Sequence, residues 1–246
     1  MRVTVLGGSG AWPVAGEPCS GFLLCHEGFS LLLDVGYAVL PRLLELMPAH
    51  RLDAVYISHR HPDHCADLNP LLRARAMGGA DPDPLPVYAP HGALDAVLAL
   101  DRPGMLDAAL SRHDFEPGAG FPVGPFELRT ALLPHSVPNA AVRVTAGSRS
   151  VVYTGDGGPD PALVELARGA DALIAEATHP EVMAAEDASH LSTARQAARQ
   201  AAEAGVGTLV LTHRWPGSEP GEYLDAAAKE YDGRTCVATA GLSFDV

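Results

Sequence analysis

The order of apolar runs predicts an α/β fold in which two β-sheets pack on each other and helices cover their outer faces. Strand-like runs cluster at the start of the chain, alternate with helical stretches through the middle, and cluster again at the end. Ala194, Ala197, Ala198 and Ala201 form a small-residue stripe at helical spacing, which suits a helix lying close on a sheet. The 246 residues are enough to bury such a core and are read as a single domain spanning 1–246.

Residues 2–6 form the first strand and lead into the loop GGSGAWPVAG. Gly8-Ser9-Gly10 after a strand invites a dinucleotide fingerprint. Pro13 stands where the following helix should begin and the third glycine is missing, so that reading fails. Strands at 22–25 and 29–34 join through a turn at Gly28, and a helix over 38–47 stops at Pro48. A short buried strand at 53–57 runs into Ser58-His59-Arg60-His61-Pro62-Asp63-His64. A helix follows at 67–77. The Pro-rich stretch 81–90 holds a short strand at Val87 and Tyr88, and a helix at 92–100 precedes irregular chain to 124.

Strands are predicted at 126–133, 141–145 and 150–153, then a helix at 161–168 and a strand at 171–175. The helix at 193–204 opens on Thr193 with Gln196 three residues on, a capping box, and stops at Gly205. A strand at 207–212, a helix at 221–230 and strands at 235–239 and 242–245 complete the chain.

Charge narrows the function. Seventeen basic against thirty acidic residues give −13, which argues against stable binding along a phosphate backbone. No run of 18 apolar residues is present, so no membrane span is expected, and the N-terminus lacks the apolar core of a signal peptide. Cys19, Cys25, Cys65 and Cys236 form no CxxC, which predicts free thiols in a reducing cytoplasm.

Four metal-type donors fall within six residues: His59, His61, Asp63 and His64. His59 and His61 lie two apart, so both imidazoles point the same way in extended backbone, and Pro62 then turns the chain. Four donors so close together crowd one tetrahedral ion but serve two ions well. Further donors end later apolar runs: His135 after ELRTALLP, Asp156 in VVYTGD and His213 in LVLTH. A ligand at the end of a buried strand is held rigidly, as a metal site requires.

This order of motifs, from His59 to His213 and with Asp34 in LLLDVG, resembles the metallo-β-lactamase-fold hydrolases. The resemblance implies an αββα sandwich, two mixed β-sheets packed face to face with helices on the outer faces. It also implies two metals in a cleft at one sheet edge. His59, His61 and His135 would bind one metal, and Asp63, His64 and His213 the other, with Asp156 bridging. The imidazole-rich set favours two Zn2+, with Mn2+ or Fe as alternatives; diiron relatives usually carry Glu at the position of His61.

Glu176-Ala177-Thr178-His179 and the later Ser189-His190-Leu191-Ser192-Thr193 are similar to the signature of the ribonuclease Z and cyclic-nucleotide phosphodiesterase branch. The resemblance implies that His190 acts as leaving-group acid, that Glu176 orients it, and that Asp63 helps to orient the attacking water. Arg143 and His179 are candidate substrate contacts, and Trp12 and Trp215 either stack on a base or cover the cleft rim.

The branch implies hydrolysis of a small phosphodiester, most of all a cyclic nucleotide of the cAMP type, by a homodimer. One alternative is a ribonuclease Z-type tRNA 3′-end endonuclease, although only 20 residues separate His135 from Asp156, too few for the arm such enzymes usually carry. Others are a lactonase or thioesterase, although Cys65-Ala66-Asp67 replaces the Gly-Gly that usually follows DH in the thioesterases, and a non-catalytic metal sensor.

Overall fold

A computed structural model describes residues 1–80 and 82–246. Asp81, in the Pro-rich stretch, lies outside the described residues. The first half of the chain comprises β1 (Arg2–Gly7), β2 (Gly21–His26), β3 (Phe29–Leu33), α1 (Val39–Leu46), β4 (Ala54–Tyr56), α2 (Pro62–Cys65), α3 (Leu68–Met77), β5 (Leu85–Pro90), α4 (Asp95–Leu98) and β6 (Leu110–Phe115). The second comprises β7 (Gly120–Val123), β8 (Phe126–Leu133), β9 (Asn139–Ala146), β10 (Arg149–Tyr153), α5 (Pro161–Ala167), β11 (Ala172–Glu176), α6 (Ala194–Ala204), β12 (Thr208–Thr212), α7 (Pro220–Ala227), β13 (Arg234–Val237) and β14 (Ser243–Asp245).

The strands form two seven-stranded mixed sheets, ordered β14-β1-β2-β3-β4-β5-β6 and β13-β12-β11-β10-β9-β8-β7. Pairing is antiparallel from β14 to β3 and parallel from β3 to β6. The second sheet is parallel from β13 to β10 and antiparallel from β10 to β7. The last strand, β14, crosses to pair with β1, so the end of the chain closes the first sheet.

Alternation along each strand sets the layers. Val3, Val5, Phe22, Leu24, Leu31 and Leu33 point inward and meet Phe126, Leu128, Val142, Val144, Val151 and Ile174 in one buried layer. The intervening residues Leu23, Leu32 and Val55 point outward onto α1 and α3 through Val39, Leu43, Leu68 and Leu72. On the far side, Leu173, Leu209 and Leu211 pack under the alanine stripe of α6 together with Leu163 of α5 and Tyr223 of α7. The result is the predicted αββα sandwich. The capping box of Thr193 and Gln196 is present, and Gly205 ends α6 in the left-handed conformation.

The structure corrects the reading of 101–124. That stretch carries two strands, β6 and β7. Both are edge strands of their sheets, and edge strands need no continuous apolar face. LSRHDF leaves Arg112, His113 and Asp114 exposed, and GFPV carries a proline tolerated at an edge. The helix expected over 92–100 shortens to α4, because Gly92 and its neighbours form a turn instead. Pro62–Cys65 adds a helical turn that was not anticipated, with proline in its first turn.

Candidate metal centre

The predicted ligands gather at one end of the sandwich, beyond the C-terminal ends of β4, β8, β10 and β12, where open α/β sheets place their ligands. Two clusters of donor atoms form there. His59, His61, His135 and Asp156 make the first, and Asp63, His64, Asp156 and His213 the second. Within each, the donor atoms lie within 4.8 Å of one another, and Asp156 belongs to both.

In the first cluster His61 presents Nδ1, 3.0 Å from His59 Nε2 and 3.0 Å from His135 Nε2. Asp156 Oδ2 stands 3.7 Å from His59 Nε2 and 3.9 Å from His135 Nε2. In the second, His213 Nε2 is 3.1 Å from Asp63 Oδ2 and 3.2 Å from Asp156 Oδ2. His64 Nε2 is 3.5 Å from Asp63 Oδ2 and 3.2 Å from Asp156 Oδ1.

Among the described residues the buried atoms His64 Nε2 and Asp156 Oδ1 make no well-aligned hydrogen bond, although they face each other at 3.2 Å. Such a pair at the centre of a ring of nitrogen and oxygen donors is what a divalent cation would satisfy. The residues present therefore fit a metal.

The imidazoles are aimed by hydrogen bonds on their far sides, which fix tautomer and ring direction. His64 Nδ1 donates to Asp34 at 2.7 Å, and His59 Nδ1 to Ser58 Oγ at 3.0 Å. Asp34 also accepts from the Ser58 amide, the Ser58 hydroxyl and the Tyr153 hydroxyl. His213 Nδ1 donates to Thr178 Oγ1 at 3.1 Å, and that hydroxyl donates to Glu176. His135 Nδ1 donates to the main-chain carbonyl of His190 at 2.9 Å.

Backbone strain concentrates here. Asp34 and His213 both adopt the left-handed region, with φ of 56° and 54°. Each costs about 1–3 kcal/mol and persists only where the surroundings enforce it. Gly10 shows how tight the enclosure is, since a β-carbon there would lie 2.8 Å from His213 Nδ1. The glycine-rich loop after β1 thus packs against a ligand, and the Ala11 amide donates to Asp63 Oδ2 at 2.9 Å.

Burial lowers the pKa values of His59, His61 and His135, which leaves neutral imidazoles suited to coordination. Burial also opposes charge on His213, but Asp156 and Asp63 outweigh it and push His213 up to about 9. Burial likewise disfavours charge on Asp63, yet His64 and His213 hold its carboxyl far below the usual range. Protons on His64 and His213 thus balance the carboxylates where a cation would otherwise do so.

Glu176 is almost fully buried, and its carboxylate accepts from the Gly157 amide, the Thr178 hydroxyl and the Ser192 amide. Burial and the Asp156 charge push it up to about 8, against three donors that favour the charged form. Its contacts tie three loops together and do not include the His190 ring. That ring is exposed, with Ser189 Oγ 3.3 Å from its Nδ1.

Arg143, a candidate substrate contact, is engaged within the fold. Its guanidinium donates to the carbonyls of Leu166 and Arg168 and to Ser150 Oγ, tying β9 to the end of α5. An arginine at an outward position of a strand reads the same in sequence whether it faces a helix end or a ligand. His179 stacks on Trp215 with centroids 5.3 Å apart. Sequence reasoning passed over Ser58, Tyr153 and Asn139. Asn139 Oδ1 accepts from the Asp156 amide, and its amide group donates to the Thr154 carbonyl. Ser58 had a signal, its place directly before His59.

Residues 31–214 match the family described as a β-lactamase superfamily domain. The probable metallo-hydrolase YhfI of Bacillus subtilis is 36% identical over 216 residues, covering 87% of this chain and 86% of the relative. Its crystal structure superposes with a TM-score of 0.90 at 33% identity, covering 99% of each chain. Ribonuclease Z of Mycobacterium bovis is 29% identical, covering 95% of this chain and 94% of the relative. With a donor cluster suited to a divalent metal, the chain belongs to the β-lactamase superfamily and is a metallo-hydrolase related to ribonuclease Z.

Proposed function

We propose that the protein is a dinuclear-zinc phosphodiesterase acting on a small phosphodiester, with a cyclic nucleotide as the leading substrate. The observation that carries this is the pair of four-donor clusters sharing Asp156. His59, His61 and His135 would hold one ion and Asp63, His64 and His213 the other. The donor set, imidazoles with carboxylates, suits zinc. Two bound ions would supply Lewis acidity and an acidified water for in-line displacement at phosphorus.

The chain's own groups then divide the remaining work. Asp63, held by the Ala11 amide, presents an oxygen to orient the attacking water. One P–O bond forms to that water's oxygen and one breaks to the departing alkoxide. The His190 imidazole gives its proton to that oxygen, a contribution typically worth about 10²–10⁴-fold. Access fits this order, because His61 is the half-buried ligand and the His190 loop borders His135, whose ring is itself covered.

Two observations favour a small substrate over RNA. The net charge of −13 gives little attraction for a long polyanion. The 20 residues between His135 and Asp156 are taken up by β9 and β10 and their connections, which leaves no protruding arm. Kinship with ribonuclease Z keeps tRNA 3′-end cleavage as the second reading.

Turnover of metal-quantified protein on 3′,5′-cyclic AMP, 2′,3′-cyclic AMP and a precursor tRNA, with Asp63→Ala alongside, separates the two. Metal-dependent hydrolysis of a cyclic nucleotide, lost in the variant, is expected. Cleavage of the tRNA alone would replace the first reading with the second. Inertness towards all three would sink both and point to carboxylic ester or lactone substrates.

A further inference from the structure

The chain has two tryptophans, and both stand beside the metal centre with much of their surface in solvent: Trp12 is 46% exposed and Trp215 43%. Their rings meet nearly edge to face, 5.2 Å between centroids and 83° between planes. His179 stacks on Trp215 at 29°.

The pair is anchored through main chain. Trp12 follows Ala11, whose amide is bonded to the ligand Asp63. Trp215 lies two residues beyond the ligand His213, and its amide donates to the Thr178 carbonyl at 3.0 Å. The Gly10 amide donates to the Arg214 carbonyl and the Arg214 amide to the Gly8 carbonyl, which zips the two loops together. Arg214 is itself buried and held by Ser218 and Glu17. The main chain carrying both rings is therefore fixed beside the ligands, and each ring keeps nearly half of its surface in solvent.

We infer that Trp12 and Trp215 form a base subsite, on which the planar ring of a nucleotide substrate stacks while its phosphate lies at the metal centre. This rests on the phosphodiesterase reading above and specifies the substrate as one carrying a nucleobase. The charge balance supports it: a protein of −13 draws an anionic ligand weakly at long range, so affinity beyond the metals must come from uncharged contacts. Indole faces supply such contacts to any base, because every base has a π-face.

Both tryptophans of the chain are at this rim, so tryptophan fluorescence, excited clear of the six tyrosines, reports on it alone. Metal-loaded protein is titrated with adenosine 5′-monophosphate and, separately, with ribose 5-phosphate. Quenching by the nucleotide and not by the sugar phosphate is expected. Trp12→Leu and Trp215→Leu should weaken nucleotide binding about 10- to 100-fold, the size of one base–aromatic stack. Ribose 5-phosphate should weaken far less.

If the emission stays unmoved while a cyclic nucleotide is hydrolysed, the subsite is overturned and the phosphodiesterase reading stands. Selective quenching in a protein that hydrolyses no phosphodiester supports the subsite and overturns that reading. Variants that change the oligomeric state and bind the nucleotide as the parent does would show that the rim is a contact between copies, and would also overturn the subsite.

Discussion

Five imidazoles of the ligand clusters and the imidazole of His190 sit at the same end of the molecule in opposite circumstances. His59 and His64 are wholly buried, and four of the five cluster rings are aimed by an Nδ1 hydrogen bond to a fixed acceptor. His190 stands on the exposed stretch 181–190, and its carbonyl, not its ring, is joined to the centre through His135. The strand ends deliver ligands already in place, at the cost of strained backbone at Asp34 and His213. The loop delivers a ring with freedom left. A ligand must be right before the ion arrives, whereas a proton donor need be right only when the leaving oxygen is present.

Asp156→Ala attacks the shared member of both clusters and should cause the largest loss. Metal content by elemental analysis should fall at both positions, and turnover should drop beyond the about 10⁴-fold ceiling of a lost general acid. His190→Ala should lower kcat by about 10²–10⁴-fold with metal content unchanged. A fall in metal content would erase the distinction between ring and carbonyl drawn above.

Asp34→Ala leaves the Ser58, His64 and Tyr153 donors unpaired in the interior. Loss of such an outer hydrogen bond should weaken metal binding by about 10–100-fold in a chelator competition. Acidity should act in the same direction. The proton on His213, with a pKa pushed up to about 9, must leave before Nε2 can bind a cation. Affinity should therefore rise with pH up to about 9, by about tenfold per unit for each proton displaced. Titrations over a pH series check the slope, and a flat profile would show that the histidines are already free of protons.

Much of this centre was legible because its ligands sit at the ends of apolar runs. A buried strand announces itself by composition, and a histidine or aspartate after it is conspicuous: His135, Asp156 and His213 each follow such a run. The outer shell was not legible, because Ser58, Tyr153 and Asn139 are ordinary residue types whose meaning lies in partners far away in sequence. Tyr153 and Asp34 are 119 residues apart. The partners of Glu176 and Arg143 are hidden for the same reason, since a charged residue in a strand does not show which of several loops it will tie down. The edge strands β6 and β7 escaped because an edge asks little of composition.

Asp156 has one more consequence. It extends from the second sheet, while His59 and His61 in the loop after β4, and Asp63 and His64 in the α2 turn that follows, come from the first. A cation held between them is a clasp across the seam of the sandwich, present only when the halves are docked. Such a ligand adds to folding stability by mass action, about 2.7 kcal/mol when free metal is a hundred times its dissociation constant. A chelator should therefore act on this protein as a mild denaturant, lowering the melting temperature as it strips the centre.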